Sequence, residues 1–394
     1  MSAPHDAVVI IGSGLAGYNL ARELRKADAA VPLVVVSRDG AGFYSKPMLS
    51  NALAGKKTAA SLVMKPADKM AAELNARVVA QVAVERIDAQ ARQVVLSSGE
   101  VLPYRDLVLA LGADTIRLPL QGDAVDTVLS VNDLDDFARF ADALDQGPCG
   151  QPVQRVAILG AGLIGCEFAN DLLARGIQST VLDVADRALS RLLPPEASIR
   201  LQDKLSAGGV QFRFGVGAQS VSTGPNGLVV GLSDGSTLEV DLVLSAIGLK
   251  PRTDLAAQAG AQVARGVVVN RQLATSLPHV HALGDCAEVA GLVLPYVLPL
   301  MAQARALAAT LAGKPSDVAY AAMPVAVKTP AWPTVVCPPP ADAQGQWVVS
   351  GDDENLIARF ESTGSEPTLL GFALQGKAVS QRQALATQVP ALLA

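Results

Sequence analysis

The sequence contains few cysteines, and no two of them are spaced as a metal-binding pair. Only four of its 394 residues are cysteine, and none belongs to a C-x-x-C motif. This scatter favours a reduced, cytoplasmic protein without a metal cluster of its own. We expect each of them to be a small buried apolar residue, namely Cys149, Cys166, Cys286 and Cys337.

Charged residues and long apolar runs are also few. Charged residues make up 18% of the chain and hydrophobic residues 50%, which excludes disorder and predicts two or three domains with large cores. The net charge of −5 gives no reason to expect nucleic-acid binding. No run of about 18 apolar residues predicts membrane insertion. The N-terminal apolar run is short, lacks a basic flank and is interrupted by glycines, so we do not expect a secretory signal there.

A glycine motif follows the first predicted strand. Four apolar residues, 8–11, read as a buried parallel strand, and residues 18–24 continue as a helix after G-x-G-x-x-G. Gly12 allows the tight turn, Gly14 lets a pyrophosphate approach the backbone, and Gly17 lets helix and strand pack closely. Free N–H groups and the helix dipole then favour phosphate at the helix N-terminus.

The same pattern recurs in the middle of the chain. Residues 155–159 lead into Gly160, Gly162 and Gly165, and a predicted helix follows. Two motifs in the same context predict two dinucleotide sites. Asp183 ends the next strand, about 20 residues on, where an acid accepts a bond from a ribose 2′-hydroxyl and repels a 2′-phosphate. This position favours NAD over NADP.

The first motif lacks the usual acid at the end of its second strand. Residues 31–37 form that strand, and the sequence offers Ser37, Arg38 and Asp39 where the acid is expected, so the ribose contact stays open. Further buried strands end in glycine turns near Gly112, Gly248 and Gly284. Residues 316–394 differ in composition and predict a small α+β unit.

These elements predict an α/β protein with two Rossmann-like dinucleotide-binding domains and a small α+β C-terminal domain. We assign residues 1–115 and 246–315 to the first dinucleotide-binding domain, 116–245 to an NAD-binding domain and 316–394 to a C-terminal interface domain.

The order of the motifs resembles that of the two-dinucleotide flavoprotein reductases, over essentially the whole chain. Residues 111–113, 246–248 and 282–285 carry this resemblance together with the two glycine motifs. Residues 14–23, 44–50, 162–171 and 328–330 are most similar to the bacterial, rubredoxin-reducing members of the family. The resemblance implies FAD on the first motif, NAD on the second, and rubredoxin or another small iron–sulfur carrier as the electron acceptor.

The resemblance also implies a set of cofactor-binding residues. On the FAD side these are Gly12, Ser13, Gly14, Leu15, Ala16, Gly17, Ser37, Arg38, Lys46, Val84, Ala110, Gly112, Asp285, Val297 and Lys328. On the NAD side they are Gly160, Gly162, Leu163, Ile164, Gly165, Glu167, Asp183 and Gly248. We expect Asp285 to accept a ribityl hydroxyl, and backbone N–H groups near Val297 to favour an anionic flavin ring.

The implied chemistry is an NADH-dependent oxidoreduction in which FAD takes up a hydride and releases electrons one at a time. Related enzymes use a redox-active cysteine beside the flavin, whereas this chain has Lys46 and Pro47 in that region and no cysteine before Cys149. Electrons are therefore expected to leave the flavin directly. We expect Lys46 and Glu167 to be the catalytic residues, paired beside the flavin, with Glu167 helping to position nicotinamide.

A basic stretch follows the Lys46 segment. Residues 38–72 carry an excess of basic side chains, whereas residues 316–394 carry an excess of acidic ones. Rubredoxins are acidic as a family, so we expect Lys56 and Lys57 to steer the acceptor and the region of Trp332 to supply apolar contact.

Other functions stay open at this point. The nearest enzyme alternative is a ferredoxin reductase. A different class is a redox-sensing flavoprotein whose reduction changes its binding to partners. A third is a diaphorase without a dedicated acceptor.

Overall fold

The computed structural model describes residues 6–147 and 150–394. Cys149 lies outside these ranges, so its predicted burial stays a prediction. None of the helices in the described residues is both long and apolar enough to cross a membrane.

The described chain alternates strands and helices up to residue 311 and is mostly strand beyond it. The strands are β1 (Val8–Ile11), β2 (Leu33–Val36), β3 (Arg77–Val79), β4 (Val84–Asp88), β5 (Gln93–Leu96), β6 (Val101–Pro103), β7 (Asp106–Leu109), β8 (Ala113–Thr115), β9 (Arg155–Leu159), β10 (Gln178–Asp183), β11 (Gln211–Phe214), β12 (Ala218–Gly224), β13 (Gly227–Leu232), β14 (Thr237–Val240), β15 (Leu242–Ser245), β16 (Leu249–Pro251), β17 (Val267–Val269), β18 (Val280–Ala282), β19 (Ala287–Val289), β20 (Val325–Val327), β21 (Thr334–Cys337), β22 (Gly345–Gly351), β23 (Asn355–Ser362) and β24 (Leu369–Gly376). The helices are α1 (Leu15–Ala27), α2 (Ala59–Leu62), α3 (Ala67–Leu74), α4 (Leu134–Asp145), α5 (Leu163–Leu173), α6 (Pro195–Ala207), α7 (Asp254–Gln258), α8 (Val297–Leu311) and α9 (Arg382–Ala386), and 3-10 turns occupy Lys46–Asn51, Val125–Thr127, Gly284–Cys286 and Lys377–Gln381.

The first nucleotide-binding unit is built on a five-stranded parallel sheet of order β18-β7-β1-β2-β3. All four residues of β1 are buried, as expected for a strand covered on both faces. Helices α1 and α8 pack against one another beside this sheet. Strand β18 returns to it after the second unit is complete, so the last turn of the first site comes from late in the chain.

The second unit repeats this architecture with a parallel sheet of order β11-β10-β9-β15. A separate antiparallel sheet, β12-β13-β14, packs on it through contacts with β9 and β15. The chain passes from the first unit to the second through β8 and returns through β16. These two strands pair antiparallel with each other. The two links therefore form one small ribbon between the nucleotide-binding units.

The chain ends in a five-stranded antiparallel sheet of order β20-β21-β24-β23-β22, followed by α9. Its first and second strands carry Val327 and Val336 into the same apolar core as α5. The predicted fold, two Rossmann-like units and a small α+β C-terminal unit, is confirmed. The exact residues at which we divided the chain stay a prediction.

Candidate functional site

One cavity of about 1710 Å³ runs along the carboxyl ends of both parallel sheets. This is the edge at which open α/β sheets bind ligands. Every predicted site residue except Gly17 and Gly165 lines it. The structure thus brings together side chains from the N-terminal motif, the middle of the chain and Lys328 near its end.

The first glycine motif is shaped to let a phosphate reach the backbone. A Cβ on Gly12 would lie 2.2 Å from the carbonyl oxygen of Ala110, and one on Gly17 would lie 1.9 Å from that of Gly12. At Gly14 a Cβ would meet open space. Helix α1 begins next to it and has no acidic residue in its first turn. These observations fit the pyrophosphate of FAD, since the free N–H groups of the first turn favour an anion.

The second motif has the same geometry. A Cβ on Gly165 would lie 1.9 Å from the carbonyl oxygen of Gly160, whereas Gly162 faces open space at the start of α5. Gly17 and Gly165 do not line the cavity, because they lie where the helix packs against the strand. This is the role that the motif gives to its third glycine. The residues present fit a second dinucleotide, NAD.

Asp183 lies at the predicted ribose position of the second site and lines the cavity. One carboxylate oxygen accepts a bond from the backbone N–H of Ala161 at 2.6 Å, and the other accepts from Ala185 at 2.8 Å. The carboxylate is thereby held beside the glycine motif. Its contact with a ribose hydroxyl stays a prediction.

In the first site, an acid that we did not assign lies close to the position where a ribose-binding acid is usual. Asp39 accepts bonds from the hydroxyl of Ser37 at 2.7 Å and of Ser13 at 3.3 Å, and from the N–H of Ala41 at 2.8 Å. The Ser13 and Ser37 hydroxyls are themselves 2.7 Å apart. Asp39 lines the cavity, so the carboxylate stands two residues beyond its usual place. The sequence signal for it was an acid directly before Gly40, at the turn that follows the strand.

Lys46 faces Asp285, not Glu167. Its ammonium lies 3.7 Å from a carboxylate oxygen of Asp285. Burial lowers the pKa of Lys46, and the positive charge of Arg252 lowers it further, while Asp285 opposes both. The expected Lys46–Glu167 pair is wrong, because Glu167 is bound to other partners.

Glu167 is 2% exposed and ion-pairs with the ammonium of Lys328 from the C-terminal sheet. The carboxylate oxygen that meets this ammonium also accepts from the hydroxyl of Ser50 at 2.5 Å, and the other oxygen accepts the backbone N–H of Lys328 at 2.9 Å. One turn further along α5, Asp171 accepts the N–H groups of Leu53 and Ala54, each at 2.8 Å. The buried face of α5 therefore joins the segment after Lys46 to the C-terminal unit.

Arg252 is a second residue that we did not assign. It lines the cavity, donates to the carbonyl of Leu111 at 2.9 Å and pairs with Asp114 at 2.6 Å. It thus ties the segment after β16 to the turn that closes the first site. The available signal was its place just after the glycine turn at Gly248.

The three cysteines in the described chain are unpaired and buried. Burial raises the pKa of Cys166 to about 12 and that of Cys286 to about 11. Thiols with such pKa values are poor nucleophiles at neutral pH. Their predicted role as packing residues is confirmed.

Two residues of the expected acceptor surface are less available in the structure than the sequence suggested. Trp332 is 8% exposed and the ammonium of Lys204 lies over its ring at 4.7 Å, so this side chain offers little free apolar surface, while apolar contact from the rest of its region stays a prediction. Lys65, one of the basic side chains of residues 38–72, pairs with Glu73 and so adds little free positive charge. Lys56 and Lys57 are exposed, as expected for a steering pair.

The family model described as pyridine nucleotide-disulphide oxidoreductase matches residues 6–313. The chain belongs to this family. A second model, the rubredoxin binding C-terminal domain, matches residues 317–389.

Similar proteins span the full chain. The rubredoxin-NAD(+) reductase of Alcanivorax borkumensis is 49% identical over 98% of this chain and 99% of its own length. That of Acinetobacter baylyi is 43% identical over 98% of both. Among solved structures, a ferredoxin reductase from Rhodopseudomonas palustris superimposes with a TM-score of 0.87 at 29% identity, covering 98% of this chain and 96% of that one.

Proposed function

We propose that this protein is a rubredoxin–NAD(+) reductase, an FAD-dependent oxidoreductase that passes electrons from NADH to rubredoxin. One observation carries the proposal: a single chain combines a cavity lined by both glycine motifs with a C-terminal unit that matches the rubredoxin-binding domain. Full-length relatives at 49% and 43% identity bear the same name. We place it in the cytoplasm, because the buried, unpaired cysteines suit a reducing compartment.

FAD, when bound at the first motif, supplies a two-electron acceptor that can release its electrons singly. The start of α1 would hold its pyrophosphate, and Asp39 and Asp285, which line the cavity, would hold its sugar region. Lys46 places a positive charge in the cavity, where negative charge on the cofactor would be stabilised. The ion pair with Asp285 orients that ammonium.

The second motif and α5 orient NADH towards the same space. Asp183 selects the free 2′-hydroxyl, and Glu167 helps to hold the nicotinamide end. Because Glu167 is fixed by Lys328 and Ser50, its carboxylate is preorganised before the nucleotide enters.

The C-terminal sheet contributes directly to the cavity wall through Val325, Ala326 and Lys328. An acceptor bound to this unit would therefore lie beside the flavin. We propose that rubredoxin docks where the sheet meets the cavity mouth, and that the exposed Lys56 and Lys57 steer its approach.

The test is steady-state turnover of the purified holoenzyme with NADH and either rubredoxin or ferredoxin as acceptor, with ferricyanide as a partner-independent control. We expect rubredoxin to give a kcat/KM at least about tenfold above that of ferredoxin, a modest specificity of about 1.4 kcal/mol. Faster reduction of ferredoxin would make the chain a ferredoxin reductase. Reduction of ferricyanide but of neither carrier would contradict both and favour a diaphorase or a redox sensor.

A further inference from the structure

Gln303 is a buried polar residue that lies behind the flavin site and outside the predicted contacts. It sits on α8 and is 2% exposed. Its side-chain oxygen accepts the backbone N–H of Gly284 at 2.6 Å, and its side-chain nitrogen donates to the hydroxyl of Tyr320 at 2.7 Å. The orientation of this amide follows from chemistry, because an N–H of Gly284 can only donate and needs the oxygen.

The turn that Gln303 holds is tight, and Leu283 and Cys286 on either side of it bind the carbonyl of Leu109. Gly284 adopts a φ of +78°, in the region that favours glycine. A Cβ at this position would lie 2.7 Å from the Cβ of Ala16, so the turn packs directly on the start of α1. Asp285 follows at once, and it carries the ion pair to Lys46. A shift of this turn would move Asp285, Lys46 and the glycine motif relative to one another.

Tyr320, which accepts the hydrogen bond from Gln303, is itself held by the C-terminal end of the described chain. Tyr320 is 1% exposed, and burial raises the pKa of its hydroxyl, which therefore stays neutral at physiological pH. Its backbone exchanges two hydrogen bonds with Leu393, at 2.7 and 3.1 Å. Leu393 in turn packs on the core of the first nucleotide-binding unit. The side chain of Gln303 is therefore fixed at its oxygen by Gly284 and at its nitrogen by Tyr320.

We propose that Gln303 is a positioning residue for FAD, acting through the Gly284–Asp285 turn. The inference rests on the proposed function in one respect, that FAD occupies the first site. Without the glutamine oxygen, the N–H of Gly284 is buried and unpaired, and the turn gains by relaxing towards water. Bound FAD then loses the fixed position of Asp285, and we expect it to leave faster.

The experiment measures the rate at which FAD leaves the holoenzyme after dilution, from the fluorescence of the released flavin. Gln303→Leu should release FAD about tenfold faster, within the range that an unpaired buried N–H supports. Gln303→Glu keeps an oxygen for Gly284 and should restore release to within about threefold of the unsubstituted protein. A residue that only fills space would not be rescued by this change.

A matched control lies in the C-terminal sheet. Gln375 is 0% exposed, and its side-chain nitrogen donates to the carbonyl of Ala197 at 2.8 Å, remote from the Gly284 turn. Gln375→Leu removes a comparable buried amide and should leave FAD release unchanged. If Gln303→Leu does not fold, Tyr320→Phe tests the same chain, because it removes only the anchor of the amide and should accelerate release about threefold.

Four results would overturn the proposal. They are unchanged FAD release in a folded Gln303→Leu variant, equal acceleration in Gln375→Leu, failure of Gln303→Glu to rescue, and, where Gln303→Leu does not fold, unchanged release in Tyr320→Phe. Failure of the proposed function is separate, since it would appear in the acceptor comparison, or as unsubstituted protein that binds no FAD, and not in the release rates of these variants.

Discussion

Lys328 and Glu167, which are far apart in the sequence, form an ion pair in which Glu167 is almost fully buried and Lys328 is 25% exposed. The pair joins the first strand of the C-terminal sheet to the first turns of α5, the helix that begins at the second glycine motif. One carboxylate thus links the helix of the second glycine motif to the C-terminal sheet.

This pairing predicts a specific pattern of energetic coupling. In double-mutant cycles on the unfolding free energy, Glu167→Gln and Lys328→Met should couple by about 1–3 kcal/mol, because they share a buried contact. Glu167→Gln and Lys46→Met should be additive within about 0.5 kcal/mol. Strong coupling between Glu167 and Lys46 would instead support the direct pair that the sequence suggested.

Lys46 should matter for flavin reduction more than for flavin binding. Lys46→Met removes a positive charge from the site of developing negative charge, so we expect NADH to reduce the flavin at least about tenfold more slowly in stopped flow. The flavin absorbance of the purified variant checks that FAD is still bound. An unchanged reduction rate would remove Lys46 from the catalytic residues.

Asp183 should set the preference for NADH. Asp183→Ala should raise the KM for NADH about tenfold and narrow its advantage over NADPH, because the ribose loses its acceptor and a 2′-phosphate loses its repulsion. Asp186→Ala is the matched control, since that carboxylate is 77% exposed and pairs only with its neighbour Arg187. Equal use of both nucleotides by the unsubstituted protein would contradict this role.

Lys56 and Lys57 should act on the association with rubredoxin. Lys56→Glu with Lys57→Glu should slow rubredoxin reduction at low salt, and the loss should shrink at 1 M salt, where the Debye length is about 3 Å. Ferricyanide reduction should not change. Lys26→Glu with Lys314→Glu gives the same charge change at the opposite end of the first sheet and should leave both rates intact. Equal slowing of both acceptors would place the docking site elsewhere.

Asp106 should make the first unit sensitive to acid. Burial alone would raise its pKa, but bonds from His281, Arg105 and His279 hold the pKa at about 2. Because this value lies below that of the unfolded chain, about 3.9, the carboxylate stabilises the fold above pH 4 and loses this effect as the pH falls towards 2. Asp106→Asn should lower the unfolding free energy by about 2 kcal/mol at pH 7. Urea titrations should show the difference vanishing between pH 4 and pH 2, and an exposed control, Asp126→Asn, should show none.

The sequence predicted the parts whose physics is local. A buried strand, three spaced glycines and a helix define each nucleotide site because the turn, the close approach and the packing all lie within about ten residues. The same holds for Asp183 at the end of β10 and for the absence of a cysteine near Lys46. These features placed nearly all of the predicted site residues on one cavity.

Which side chains meet across the domains was decided only by the tertiary structure. Both Lys46 and Lys328 were assigned to the cavity, yet nothing in spacing or composition tells which of them reaches Glu167 and which reaches Asp285. That choice depends on how the C-terminal sheet seats on α5, where buried apolar residues such as Val327 and Val336 set the distance. The burial of Trp332 and the bonds of Gln303 arise in the same way, because packing between distant segments has no signal within either segment alone.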